Sequence, residues 1–388
     1  MKEFFSLKDF DLRNKRVLVR VDYNVQMEKG RVLNDSRIRA SLPTLRYLCD
    51  AGAKIIIVTH LGRPDGKQVE ELRTDPLAKR LGELIGTEVR KTGLPIDKAK
   101  PEIEGLKSGS ILMLENIRFY PEEEKNDREF AKKLAALAEF YVNDAFGVSH
   151  RDNSSVSAIT EFLPSCAGLL LEKELTTLGK ILQNPEKPFY AIIGGAKLET
   201  KIPVIENLAR IADKILLGGA MIFSFYKAQG LETGQSLVGE KEIPLAKGIL
   251  DKFKDKIVLP IDVVLDDLTS VDTKSIPKDA AGLDIGIRSI RTFASTLQDA
   301  KTVLWNGPMG KFEQKPFDAG TTTLARIISQ LSATTIVGGG ETVAAIEAAG
   351  LSDRFTLVST GGGATLEFLE GKELPAIAAL RKNYLRGA

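Results

Sequence analysis

The sequence predicts an α/β fold in two domains, each built on a parallel sheet. Three observations carry this. Short apolar runs, often β-branched, recur along the chain, and each is followed by a segment of helical period. The runs are apolar at almost every position, which suits strands covered by helices on both faces. Finally, 388 residues hold more such runs than one sheet accommodates, and the length suits two or three domains.

Taken in order, the first half offers strands at Arg16–Val21, Lys54–Thr59, Ile111–Glu115 and Phe140–Asn143. A helix is expected around Ile38–Asp50. The second half offers Phe189–Ile193, Lys214–Leu217, Lys256–Pro260, Thr302–Trp305, Thr335–Val337 and Phe355–Ser359. Between them Leu169–Gln183 reads as a helix ended by Asn184-Pro185, because the residue before proline avoids the helical region. The domain boundary therefore falls near Ser165–Leu175, giving domains of 1–168 and 169–370. No short internal repeat and no low-complexity segment is present.

Composition excludes several classes. Hydrophobic content of 43% and charged content of 27% are those of a globular protein. A formal net charge of +2 argues against a general nucleic-acid or membrane-surface binder, so affinity for anions must come from local clusters. Two cysteines, Cys49 and Cys166, exclude a disulfide framework and a cysteine-rich metal site; both read as reduced core residues. The start of the chain lacks the apolar core of a signal peptide, and no run approaches the ~18 apolar residues of a membrane helix. A cytoplasmic protein is expected.

In open parallel sheets, ligands bind outside the carboxyl ends of the strands. In the first half those ends are cationic. Arg63, Arg118 and Arg151 lie just past strand ends, and Arg37 lies at the start of the first long helix. Guanidinium groups converging there suit a small, highly anionic ligand, because the planar fork binds carboxylate or phosphate bidentately and stays charged. Asp22 and Asn24 are placed to hold a hydroxyl or to orient an arginine. The two histidines, His60 and His150, belong to the same set and are too few for a histidine zinc site.

The second half is built of glycine turns: Gly194-Gly195, Gly218-Gly219, Gly338–Gly340 and Gly361–Gly363 follow strands. Such turns let the backbone approach a ligand and aim N–H groups at it, and nucleotide phosphates are the natural partner. After Gly194-Gly195 a helix is expected at once, with Lys197 and Lys201 on one face near its N-terminus. No G-x-x-x-x-G-K-[ST] loop occurs. Glu341, among the glycines, is placed to bind Mg²⁺ directly or through water. Glu313 is placed for ribose hydroxyls. Trp305 and Phe312 read as core.

The stretches Arg20–Val25, Asp35–Ala40, His60–Pro64, Leu114–Phe119, Asn143–Gly147, Gly194–Lys197, Leu304–Pro308 and Ser359–Gly363 carry a resemblance. In this order and spacing the chain resembles the phosphoglycerate kinases from end to end. The resemblance implies two Rossmann-like domains separated by a cleft and joined by a hinge helix, with the last segment, 371–388, folding back onto the N-terminal domain. It implies 3-phosphoglycerate on that domain, Mg-nucleotide on the other, and transfer of a phosphoryl group from 1,3-bisphosphoglycerate to ADP. Asp22, Tyr23, Asn24, Arg37, His60, Leu61, Gly62, Arg63, Arg118 and Arg151 match the substrate contacts. Lys201, Gly286, Glu313, Gly339, Gly340, Glu341 and Thr342 match nucleotide positions, Glu341 also the metal position. Arg37, Lys197, Gly361 and Gly362 fall where the transferring group is stabilised.

Two positions depart from the family pattern. Glu341 stands where aspartate is usual, and Lys311 where a small apolar residue is usual beside ribose and adenine. A monomer is expected, acting on small molecules, with Mg²⁺ as cofactor and no nucleic-acid or membrane partner. The competing readings are a binding protein of the same fold without transfer, and a dinucleotide-dependent dehydrogenase. The latter is disfavoured because no G-x-G-x-x-G opens the first βα unit.

Overall fold

The structure, a computed structural model, describes residues 3–93 and 95–387. The chain divides into two units, Met1–Thr176 with Glu373–Ala388, and Thr177–Lys372. The division falls inside the helix Leu169–Gln183 rather than at its first residue.

The first unit begins with β1 (Arg16–Val21), a small hairpin of β2 (Met27–Glu28) and β3 (Arg31–Val32), α1 (Ser36–Asp50) and β4 (Lys54–Val58). There follow α2 (Asp75–Ile85), β5 (Val89–Lys91), α3 (Lys100–Glu104), β6 (Ile111–Met113), α4 (Arg128–Ala135), β7 (Phe140–Asp144), β8 (Ser165–Ala167) and α5 (Leu169–Gln183). Six parallel strands form one sheet in the order β5-β6-β4-β1-β7-β8. Apolar side chains alternate between two core layers. Val17, Val19, Val21, Ile55 and Ile57 enter one; Leu18, Ile56 and Val58 enter the other. This is the two-sided burial that continuous apolar strands imply.

The second unit contains β9 (Phe189–Ile193), α6 (Ile202–Ile211), β10 (Lys214–Leu217), α7 (Ile222–Ala228), α8 (Glu242–Phe253) and β11 (Ile257–Val258). An antiparallel insertion follows: β12 (Asp262–Leu265), β13 (Ser270–Asp272) and β14 (Gly282–Ile285). The chain continues through α9 (Ile287–Leu297), β15 (Thr302–Asn306), α10 (Ala319–Ile328), β16 (Thr334–Gly338), α11 (Gly340–Ala348), β17 (Leu357–Val358) and α12 (Gly363–Leu369). The main sheet is parallel, in the order β11-β10-β9-β15-β16-β17. Counted by first appearance this is 3-2-1-4-5-6, the doubly wound order whose switch point lies between its first and fourth strands. Last, α13 (Pro375–Gly387) belongs to the first unit: Asn383 donates to the Thr160 and Leu163 carbonyls at 2.7 and 3.0 Å and accepts from the Ser165 amide at 3.1 Å.

Some expectations need correction. The antiparallel sheet interrupts the expected alternation of strand and helix. Its strands are short, and their turn depends on local chemistry: Asp267 Oδ1 accepts from the Thr269 amide at 2.9 Å, and Leu268 between them adopts φ of +71°. Short β5 and β8 add to the four strands expected in the first half, and Lys256–Pro260 shrinks to β11. Nor does a helix start directly after Gly195. Pro203 sits in the first turn of α6, so Lys201 is its N-cap residue and Lys197 lies in the preceding loop. That loop turns back through Lys201 N–H to the Leu198 carbonyl at 2.7 Å, with Leu198 fully buried as its anchor.

Candidate functional site

In the first unit, the ends of β1, β4 and β6 bring charged side chains together. Asp22 follows β1 and is nearly buried. Its Oδ2 accepts from Arg37 Nη1 at 2.5 Å, while Oδ1 stands 3.8 Å from His60 Nδ1. Asn24 Oδ1 accepts from the Gly62 amide at 2.9 Å, which ties the loop after β4 to the loop after β1. Arg118 Nη1 donates to the Gly62 carbonyl at 2.9 Å, and Asn116 Nδ2 donates to the Leu61 carbonyl at 2.7 Å. His60 is buried, and its pKa lies well below the usual 6.5. Burial is the first cause; the positive charges of Arg20, Arg118, Arg37 and Arg151 follow. Four arginines thus surround or face a neutral imidazole.

In the second unit a cavity of about 390 Å³ opens at the switch point of the sheet. Gly195 and Gly219 form one wall, Pro308–Lys311 another, and Phe223, Leu237 and Leu283 give it an apolar face. The walls meet because glycine permits it. The Gly194 amide donates to the Asn306 carbonyl at 2.8 Å, and a Cβ on Gly194 would lie 2.1 Å from the Pro308 carbonyl oxygen. Glu313, Glu341 and Lys311 sit at its polar end. Lys201 Nζ donates to Asn306 Oδ1 at 2.8 Å; burial lowers its pKa, against the attraction of Glu341 and Glu370. Asp284 also lines the cavity, with burial raising its pKa to about 7 despite bonds from the Gly320 and Ile285 amides.

A profile of the phosphoglycerate kinase family matches residues 7–372. The chain belongs to the phosphoglycerate kinase family. It is 51% identical to the phosphoglycerate kinase of Nostoc punctiforme, with 98% of each chain covered. That of Moorella thermoacetica is 49% identical, over 97% of this chain and 98% of the relative. Among solved structures, the phosphoglycerate kinase of Coxiella burnetii superposes with a TM-score of 0.88 at 36% identity, covering 98% of this chain and 99% of that one. The Pyrococcus horikoshii enzyme gives 0.89 at 34%, covering 98% and 100%.

Against the phosphoglycerate kinase pattern, the structure gathers some expected residues and separates others. Asp22, Asn24, Arg37, His60, Gly62 and Arg118 are joined by the contacts above; Arg63 and Arg151 are exposed, and Arg151 is near enough for its charge to act on His60. Tyr23 and Leu61 turn inward: the Tyr23 hydroxyl meets Ser41 Oγ at 2.6 Å, and neither side chain faces solvent. In the second unit Glu313 and Glu341 share the cavity, but Gly286 packs against the Asp262 carboxylate as the residue before α9. Thr342 is a buried brace, its hydroxyl accepting from the Gly307 amide at 2.7 Å. Gly339 and Gly340 open α11. The Gly361 amide donates to Ser359 Oγ at 3.2 Å, and Gly362, with φ of +52°, precedes α12. Lys197 is exposed in its loop.

Two features of this phosphoglycerate kinase family member lay outside the motif reading. One is the apolar face of Phe223, Leu237 and Leu283, which has no sequence signature. The other is Arg20. A charged residue inside the run Arg16–Val21 has to be paired, and that signal was present in the sequence.

Proposed function

We infer that the protein catalyses reversible transfer of a phosphoryl group from 1,3-bisphosphoglycerate to ADP, giving 3-phosphoglycerate and ATP. One observation carries the reading beyond family membership: the two units divide the chemistry. One presents arginines around a neutral histidine, and the other a nucleotide-sized cavity with lysine and glycine turns at the switch point of its sheet. The three-carbon acid belongs to the first unit and the nucleotide to the second.

The acceptor is an ionised oxygen in either direction, a β-phosphate or a carboxylate, so the reaction needs no general base. Cations and N–H donors are what it needs, for positioning and for charge stabilisation. Arg37, steered by Asp22, holds the phosphoryl group from the substrate side, and Lys197 and the glycine loops at Gly361 and Gly362 serve it from the nucleotide side. Ligands held on different units call for a closing motion that brings them in line and excludes water.

Mg²⁺ fits the donor set in the manner usual for this ion. Among the described residues no three His, Cys, Asp or Glu side chains cluster to form a cage, while Glu341 offers one carboxylate at the cavity's polar end. Bound there with the nucleotide phosphates, the ion would neutralise their charge. Lys311 lies along the cavity with its stem available to ribose and base. The enzyme is a cytoplasmic monomer in this reading; no helix among the described residues is long and apolar enough to cross a membrane.

The test is a coupled assay for ATP formation from 1,3-bisphosphoglycerate and ADP. Arg37→Ala and Lys197→Ala are each expected to lower kcat by about 100-fold or more. Unchanged turnover with only a raised KM in both variants would remove them from the transferring group.

A further inference from the structure

A chain of hydrogen bonds links a buried carboxylate in the first unit to His60, with Arg20 donating to both sides of it. Glu123 is fully buried, and both of its oxygens accept. Oε1 takes the Ser155 hydroxyl at 2.5 Å and Oε2 the Ser155 amide at 2.9 Å. Burial raises the pKa of this carboxyl, while the charge of Arg20 and the two donors from Ser155 favour its anionic form. Having given its one hydrogen to Glu123, the Ser155 hydroxyl accepts from Arg20 Nε at 2.9 Å. Arg20, only 1% exposed, donates from Nη1 to the Val21 carbonyl and from Nη2 to His60 Nδ1, the latter at 3.2 Å.

A guanidinium has no acceptor. Nδ1 of His60 is therefore the lone-pair nitrogen, and the neutral ring carries its proton on Nε2. The alternative, a proton on Nδ1 to meet Asp22, finds that carboxylate at 3.8 Å, too far for a hydrogen bond. It would also aim two N–H groups at each other.

We propose that Glu123, acting through Ser155 and Arg20, is a positioning residue that fixes His60 as a neutral Nε2–H donor to the anionic three-carbon substrate. The proposal rests on the substrate reading above. Among arginines, a neutral donor adds a directional bond to an oxygen of the ligand without adding charge. The sequence separation is large: Arg20 lies 40 residues from His60 and 135 from Ser155. Strand β1 brings them together, because Arg20 points into the same layer as Leu18 and Tyr141, beneath which residues 123 and 155 meet.

The experiment is long-range ¹H–¹⁵N correlation on histidine-labelled protein, which holds only His60 and His150, combined with steady-state kinetics. Wild type is expected to show His60 as the Nε2–H tautomer at pH 7. Ser155→Ala and Glu123→Gln break or reverse the first link. Both should give a mixed or altered tautomer and an about ten-fold higher KM for 3-phosphoglycerate, with nucleotide KM within about two-fold of wild type. A Glu123 that merely balances the charge of Arg20 would change stability and leave the tautomer alone. An Nδ1–H tautomer in wild type overturns the proposal. So do folded variants in which tautomer and substrate KM are both unchanged. If Glu123→Gln does not fold, Ser155→Ala and the wild-type spectrum decide. Calorimetry with 3-phosphoglycerate separates the two levels: no binding to wild type overturns the substrate reading, whereas equal binding to wild type and variants overturns this inference alone.

Discussion

Asp22 has two basic neighbours and hydrogen-bonds only one. Arg37 takes its Oδ2 at 2.5 Å, and His60 at 3.8 Å is left to Arg20. The pH behaviour of the first unit follows from that division. His60 in the folded protein resists protonation far below 6.5, whereas in the unfolded chain it titrates at about 6.5. A depressed histidine pKa means that the unfolded state binds the extra proton. The associated stability is fully present above pH 6.5 and is lost as pH falls below it. His60→Gln should therefore lose less stability than wild type between pH 7.5 and 5.5, as read from urea midpoints at the two pH values. An equal loss in both proteins would deny His60 this role. At this scale the sequence disclosed the charges and withheld the pairings. That Arg37, His60 and Arg118 share one end of a sheet follows from strand ends. That Arg20, in the middle of an apolar run, organises the histidine depends on contacts between residues far apart in the chain.

The two ends of elements that matter most are the start of α5 and the loop after β9. Asp144, the last residue of β7, is buried and accepts from the Leu170 and Leu171 amides at 3.0 and 3.2 Å, so it caps α5 from another element. Burial raises its pKa from 3.8 to about 6 in spite of those bonds. The sign is opposite to that of His60. Here the folded state keeps a proton that the unfolded chain has released, so stability falls as pH rises from about 4 to about 6, by up to about 1.4 kcal/mol per pH unit. Asp144→Asn should flatten that part of the curve, measured by denaturant titration across the range. Asp284 adds a fall of the same sign up to about pH 7.

In the loop after β9, a methyl on Gly194 would meet the carbonyl oxygens of Pro308 and Gly307, which are backbone and cannot swing away. Gly194→Ala is expected to cost at least about 2 kcal/mol and to raise nucleotide KM with little effect on that for 3-phosphoglycerate. Normal stability together with unchanged nucleotide KM would show that the two loops need not touch. The glycines of this loop were readable from the sequence. The delayed start of α6 was not, although Pro203 announced it, because the helical spacing of Lys197 and Lys201 is equally compatible with a loop.

For the molecule as a whole, period and burial made both parallel sheets legible, since strands apolar on both faces have few other uses. The insertion of β12–β14 escaped because strands of three or four residues carry too little alternation to register. Several contacts return α13 to the first unit: Ala376 packs with Ala145, Val148 and Val156 and its amide donates to the Ser149 carbonyl, Asn383 bonds residues 160, 163 and 165, Tyr384 meets Phe5 edge-on, and Arg381 pairs with Glu3 and Glu373. Asn383→Ala leaves the Ser165 amide without its partner. It should lower the stability of the first unit by about 1–3 kcal/mol and leave the second unaffected. Calorimetry with and without nucleotide, which should shift only the second unit's transition, assigns the change.

The position of α13 also sets an order of events during synthesis. Residues 1–176 leave the ribosome long before Glu373–Ala388, yet both segments belong to one unit. The nascent first unit must wait, its Ser165 amide and the Thr160 and Leu163 carbonyls lacking Asn383, until almost two hundred further residues, about the length of unit Thr177–Lys372, have been made. The unit encoded second is thus the first that can be completed, and α13, made after it, closes the unit encoded before it.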